Sequence, residues 1–149
     1  MTLEHAIKQL RILNEPVPKP QRLPSREEVA EVEKQLGITF HPDLQEYFLT
    51  ASDVTYGCLE PVTILVDSGH TYMLDVVEDA RTLGVPDELM PICDDNSDYY
   101  CMTTDGSIVF WSHDAGGLTG ETWKDLSTWI EEVWIGESQD RDEDDDGER

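Results

Sequence analysis

The sequence predicts an α+β fold: a single domain whose antiparallel meander sheet packs with helices from both chain ends. Three observations predict it. Apolar residues recur at helical spacing up to Ala51, β-rich runs separated by turn signals follow, and a last amphipathic stretch closes the chain. The length, 149 residues, suits one domain able to bury a core of its own.

Leu3, Ala6, Ile7, Leu10 and Leu13 share one face and predict a first helix over residues 2–13. Prolines at 16, 18, 20 and 24 then forbid helix and predict a stiff extended strap. This first helix either covers the domain or docks a second chain. Ser25 and Glu28 form a capping box that opens a second helix with Val29, Val32 and Leu36 inward, stopped by Gly37. Pro42 opens a third, carrying Leu44, Tyr47, Phe48 and Ala51, and Ile38 and Phe40 in the short link are expected to plug the gap between the two.

From Leu59 the texture changes. Val62, Ile64 and Val66 alternate as in a strand, and Tyr72, Met73 and Leu74 suggest another before Asp75 caps a brief helix ended by Gly84 and Pro86. Strands are expected at Met90–Cys93, Tyr99–Thr103 and Ser107–Trp111, the last two joined by an Asp105-Gly106 hairpin turn. Three glycines in 112–121 predict a mobile loop. Thr122, with Asp125 at the third position, should cap a closing helix whose stripe is Trp123, Leu126, Ile130, Val133 and Trp134. Trp129 falls off that stripe and is expected to be partly exposed.

The formal charge of −23 is unevenly spread. Residues 1–34 balance six acids with six bases, whereas 35–136 hold nineteen acids against Arg81 and Lys124 alone. Such a body repels phosphate backbones and anionic lipid, which argues against nucleic-acid and membrane partners. Two readings remain, general solubility and a cationic partner. Residues 137–149 hold nothing to bury and read as a solvated, disordered acidic tail. The opening residues lack a signal-peptide core, no apolar run suits a membrane span, and three cysteines at 58, 93 and 101 fit no disulfide framework, so a reducing cytoplasm is expected.

Candidate chemistry is thin. Asp94, Asn96 and Asp98 match the start of a calcium loop and Asp105 falls at its twelfth place, but Tyr99 stands where glycine is required. Cys93 and Cys101 could face one another across two strands as small buried thiols. His113-Asp114 with either thiol is the one arrangement that could be catalytic, and nothing in the spacing distinguishes it from accident. No metal site, cofactor site or phosphate loop is expected, and a non-catalytic protein is the favoured reading.

Several short passages in fixed order suggest a family. Leu23-Pro24-Ser25 precedes Glu28; Leu36-Gly37 leads to His41-Pro42-Asp43-Leu44 and Tyr47-Phe48-Leu49. Met90-Pro91-Ile92 precedes an acidic loop ending in Asp98-Tyr99, and Asp105-Gly106-Ser107-Ile108-Val109 enters a strand ending at Trp111-Ser112-His113-Asp114. Thr122-Trp123 with Leu126, Trp129 and Ile130 closes the series. The run from Leu23 to Ile135 resembles the SUKH superfamily, in its Smi/Knr branch. It departs from the family at Ser52-Asp53, where an Asn-Gly pair is common. The resemblance implies residues 25–136 as a SUKH-like domain, preceded by helix and strap (1–24) and followed by the tail (137–149). It also implies binding rather than catalysis, since bacterial members are immunity proteins encoded beside secreted nuclease toxins and fungal relatives are regulators.

A basic nuclease toxin is therefore the expected partner, with the oligomeric state left open. A regulatory scaffold without a toxin is the alternative, and a cryptic enzyme or metal-binding protein the third reading. The expected contact surface is a pair of loops at the strand ends, offering Asp94, Asp95, Asp98, His113 and Asp114, with Tyr99, Tyr100 and Trp111 as aromatic anchors. Asp43, Glu46 and Asp53 form a secondary candidate surface.

Overall fold

A computed structural model describes residues 2–15, 22–65 and 69–136. The strap prolines 16, 18 and 20, Val66 and the 137–149 tail lie outside the described residues.

The helical half follows its local signals. Helix α1 (Leu3–Leu13) starts where the Thr2 hydroxyl accepts from His5 N, and buries Ala6, Ile7 and Leu10. Helix α2 (Arg26–Leu36) carries the complete capping box: Glu28 N donates to Ser25 Oγ at 3.2 Å and Ser25 N to Glu28 Oε1 at 3.0 Å. Helix α3 (Pro42–Thr50) begins on Pro42, with His41 Nδ1 accepting from Asp43 N at 3.1 Å. Helix α1 covers the domain: its buried face joins the common core, Arg11 pairs with Asp53, and Asn14 Oδ1 accepts from Thr55 N at 2.9 Å.

The stretch after Leu59 is less regular than expected. Pro61 and Thr63 make single bridges to Cys93 and Tyr72, and among the described residues no extended strand forms there. Met73 and Leu74 belong to helix α4 (Met73–Leu83), whose N-cap is Tyr72; Asp75 sits in its first turn, not at its cap. Val62, Thr63, Ile64 and Leu65 are all buried, so the apolar alternation read in the sequence marks no inside and outside face of this irregular segment.

Strands β1 (Met90–Asp95), β2 (Asp98–Met102), β3 (Ile108–Ser112) and β4 (Gly117–Trp123) form an antiparallel sheet in sequence order. Strand β4 occupies half of the expected mobile loop, residues 117–121. Its ladder is interrupted: between the pairs Val109–Thr122 and Trp111–Leu118, Phe110 faces Thr119, Gly120 and Glu121, with Gly120 at φ +94°. That bulge takes up Gly120, while Gly116 closes the β3–β4 turn and Gly117 pairs with Ser112.

Both faces of the sheet are covered at β2, whereas β4 is largely exposed. Helix α4 packs beside β1, and a Cβ on Gly84, just past its end, would touch Trp111. Tyr99 leans on Trp111 on that side, with ring centroids 6.2 Å apart. On the other side Tyr100 sits among Phe110, Trp123 and Trp129, at 4.6, 5.6 and 5.2 Å. Strand β2 consequently shows almost no inside–outside alternation.

The closing helix departs from expectation in register. Trp123 is on β4, and Asp125, not Thr122, is the cap, its carboxylate accepting from Thr128 N at 2.8 Å. Helix α5 (Leu126–Trp129) passes directly into a π-helical segment, Ile130–Ile135. Bonding at i→i+5 brings residues five apart together. Trp129 and Trp134 are such a pair, with rings 6.3 Å apart, so Trp129 is only 1% exposed.

Candidate acidic site at the sheet end

The β1–β2 and β3–β4 turns lie at the same end of the sheet. Asn96 and Ser97 form the first, both at positive φ (55° and 72°), the pattern of a type I′ turn that matches strand twist. Asp94 steadies it, Oδ1 accepting from Ser97 N at 2.9 Å. Asp98 reaches across to the second turn: one carboxylate oxygen accepts from His113 N at 3.1 Å and from His113 Nδ1 at 2.9 Å. His113 Nε2 lies 3.4 Å from Asp114. The Asp98 bond, aided by the charge of Asp114, raises the imidazole above its ordinary range although it faces water.

The two expected loops are therefore brought together, with the roles of their residues sorted. Asp94 and Asp114 are the exposed charges, the Asp114 side chain being 87% exposed, and Asp95 beside them is half-buried. Asp98 and His113 form the strut between hairpins. Tyr99, Tyr100 and Trp111 are buried, so they are not surface anchors but the packing beneath. With both faces covered at this part of the sheet, no room is left for an outward ring on β2 or at Trp111.

Beside the first turn opens a polar cleft of about 410 Å³, lined by Cys58, Glu60, His70 and Thr71 together with Asp94 and Asp95. His70 pairs with Glu60. Sequence reading missed both, because only the bridges from Pro61 and Thr63 carry them to the sheet. The secondary candidates do not converge. Asp43 begins α3, Asp53 lies beyond its end paired with Arg11, and Glu46 is exposed between them.

The chemical alternatives lose their geometry. Asp105 belongs to the β2–β3 turn at the far end of the sheet, where it accepts from Ser107 N at 3.1 Å and from the Thr103 hydroxyl, which holds its carboxyl down at about 2. It cannot complete a loop begun at Asp94. Among the described residues, no group of His, Cys, Asp and Glu is arranged to hold a metal ion. Cys93 and Cys101 are buried and face Tyr100 and Pro91 rather than each other. Burial pushes the Cys101 thiol up to about 12 and Cys93 higher still, so neither is an activated nucleophile for His113. No described helix is long and apolar enough to cross a membrane.

The family model SUKH_5, described as SMI1-KNR4 cell-wall, matches residues 3–135. The chain belongs to this SUKH family. The match begins twenty residues before Leu23, so α1 lies within the family region and not outside it. A solved structure, described as the crystal structure of a protein from Pseudomonas syringae pv. tomato, is 45% identical, with a TM-score of 0.84 over 89% of this chain and 98% of that one. No curated protein matches.

Proposed function

We propose that this SUKH chain is an immunity-type binding protein that captures a basic toxin, of the nuclease kind, through the acidic end of its sheet. One observation carries the reading: two hairpin turns held together by the Asp98–His113 strut present Asp94, Asp95 and Asp114 on one rigid end. No lysine or arginine belongs to either turn. A nuclease site lined by cations would meet these carboxylates as it meets phosphates. Relief of the repulsion among them favours association, which should be fast and fall steeply with salt.

The test replaces Asp94, Asp95 and Asp114 with Asn, sparing the strut, and co-expresses each form with the toxin candidate encoded next to the gene. The wild-type protein should rescue growth and co-purify. The triple variant should bind at least about a hundredfold more weakly, since desolvated charge contacts typically cost ~2–5 kcal/mol each to truncate. Its thermal stability should be equal or higher. Full protection by the triple variant would refute this surface. Absence of rescue by the wild type would favour a regulatory scaffold without a toxin.

A further inference from the structure

The far end of the sheet carries a second concavity of different chemistry. The link between α2 and α3, the β2–β3 turn and the start of β1 enclose an open groove of about 300 Å³. Ile38, Pro42 and Met90 form its apolar walls, over a floor of buried Phe40, Leu44 and Met102. Ile38 remains 37% exposed at the lip.

The groove is preformed. Phe40 N donates to Glu33 Oε2 at 2.6 Å and the Phe40 ring packs on Phe48 at 5.4 Å. The His41 ring lies so close over Gly106 that a Cβ there would sit 2.6 Å from Nε2. The opposite lip is the loop holding Asp87 and Glu88, gathered by Arg81 Nη1, which donates to Pro86 O at 2.7 Å and Leu89 O at 2.8 Å.

Charge selects the occupant. Asp87, with its side chain 99% exposed, and Glu88 rim the groove, and Asp43 and Glu33 stand nearby. Arg81 is the cation of this lip; its Nε is 3.4 Å from Asp87 while its terminal nitrogens are turned to backbone carbonyls. A second copy of the chain would bring another −23 and is repelled. We propose that this groove receives an extended segment of a partner protein in which an apolar side chain is flanked by lysine or arginine. The apolar side chain seats against Met90, above the Met102 floor, where flexible thioethers fit varied shapes, and the flanking cations meet Asp87 and Glu88. This site is separate from the acidic turns and stands without them.

Full-length protein labelled with ¹³C at the methionine methyls is titrated with the peptide acetyl-Lys-Leu-Lys-Phe-Lys-amide and followed by NMR. The Met90 and Met102 methyls should shift and saturate while Met73, buried in α4, stays fixed and reports the fold. A peptide with glutamate in place of lysine should bind at least about tenfold more weakly. Ile38→Glu should abolish the shifts with the Met73 signal unmoved, and Asp87→Asn with Glu88→Gln should weaken binding about threefold to tenfold, as expected for two exposed pairs. The Asn variant at 94, 95 and 114 should titrate as wild type. The proposal is overturned by no shift at Met90 and Met102 up to millimolar peptide, by equal binding of the glutamate peptide, or by loss of binding in the 94, 95 and 114 variant.

Discussion

Replacing Arg81 with Met should destabilise the domain more than a half-exposed surface arginine ordinarily would. The guanidinium donates to Pro86 O and Leu89 O at 2.7 and 2.8 Å, with longer contacts to Asp87 O and Val85 O at 3.3 and 3.4 Å. Each short bond to a charged donor is worth about 1.5–3 kcal/mol. The side chain is 23% exposed, so water can replace part of what is lost. Two such bonds, discounted by about half, give a loss of ~1.5–3 kcal/mol, while the Asp87 carboxylate, fully in solvent, adds little. Met keeps the apolar stem, which isolates the polar term. For a domain of this length that is a fall in Tm of about 3–12 °C. Urea unfolding should show a lower midpoint at unchanged slope. Lysine should recover only a fraction, because a point charge cannot span carbonyls on both sides of the loop. Hydrogen exchange should accelerate first in residues 84–90. A loss below about 0.5 kcal/mol would refute the argument that this loop depends on its clamp.

Ile130→Ala, at a fully buried position of the closing helix, should cost ~2–5 kcal/mol in urea unfolding, and a loss within error would mean that the helix does not seal the core. Gly106→Ala combines a φ of +93° with the His41 ring in its path, and should lower stability by ~1–3 kcal/mol by calorimetry; a neutral result would show that His41 swings aside freely. His113 is more basic folded than unfolded, so its link to Asp98 contributes fully below the ordinary histidine value and fades as pH rises through the raised one. Denaturant midpoints of wild type and His113→Asn should therefore differ most below pH 6.5 and converge in alkali; a constant gap would remove the charge from that link.

Local chemistry was legible wherever a side chain acts on its own neighbourhood. The Ser25–Glu28 box, Pro42 opening α3 and the Asp105-Gly106 turn could be read because each bond closes within a few residues. What escaped was set at a distance. Thr119-Gly120-Glu121 reads as loop until Phe110 lies opposite, and Trp129 reads as exposed until the helix widens to bring it over Trp134. The candidate site divides the same way. Asp94 to Asp98 and His113-Asp114 were visible as acidic turns, but their junction through Asp98, and Glu60 with His70 beside them, depends on topology. The aromatic residues were misassigned because β2 borders helices on both sides, which no single-strand pattern reveals.

The bulge in β4 has a bearing on how densely the molecule can be stored. An outermost strand is ordinarily a template on which another chain extends the sheet, the first step toward fibres. Here Gly120 breaks the ladder into two short pieces, Gly117-Leu118 and Thr122-Trp123, so a newcomer finds no continuous row of groups to bond along. Any copy approaching that edge also brings the same excess of carboxylates. Geometry and charge thus close the same route independently, and a mutation that straightened β4 would still leave the electrostatic barrier standing.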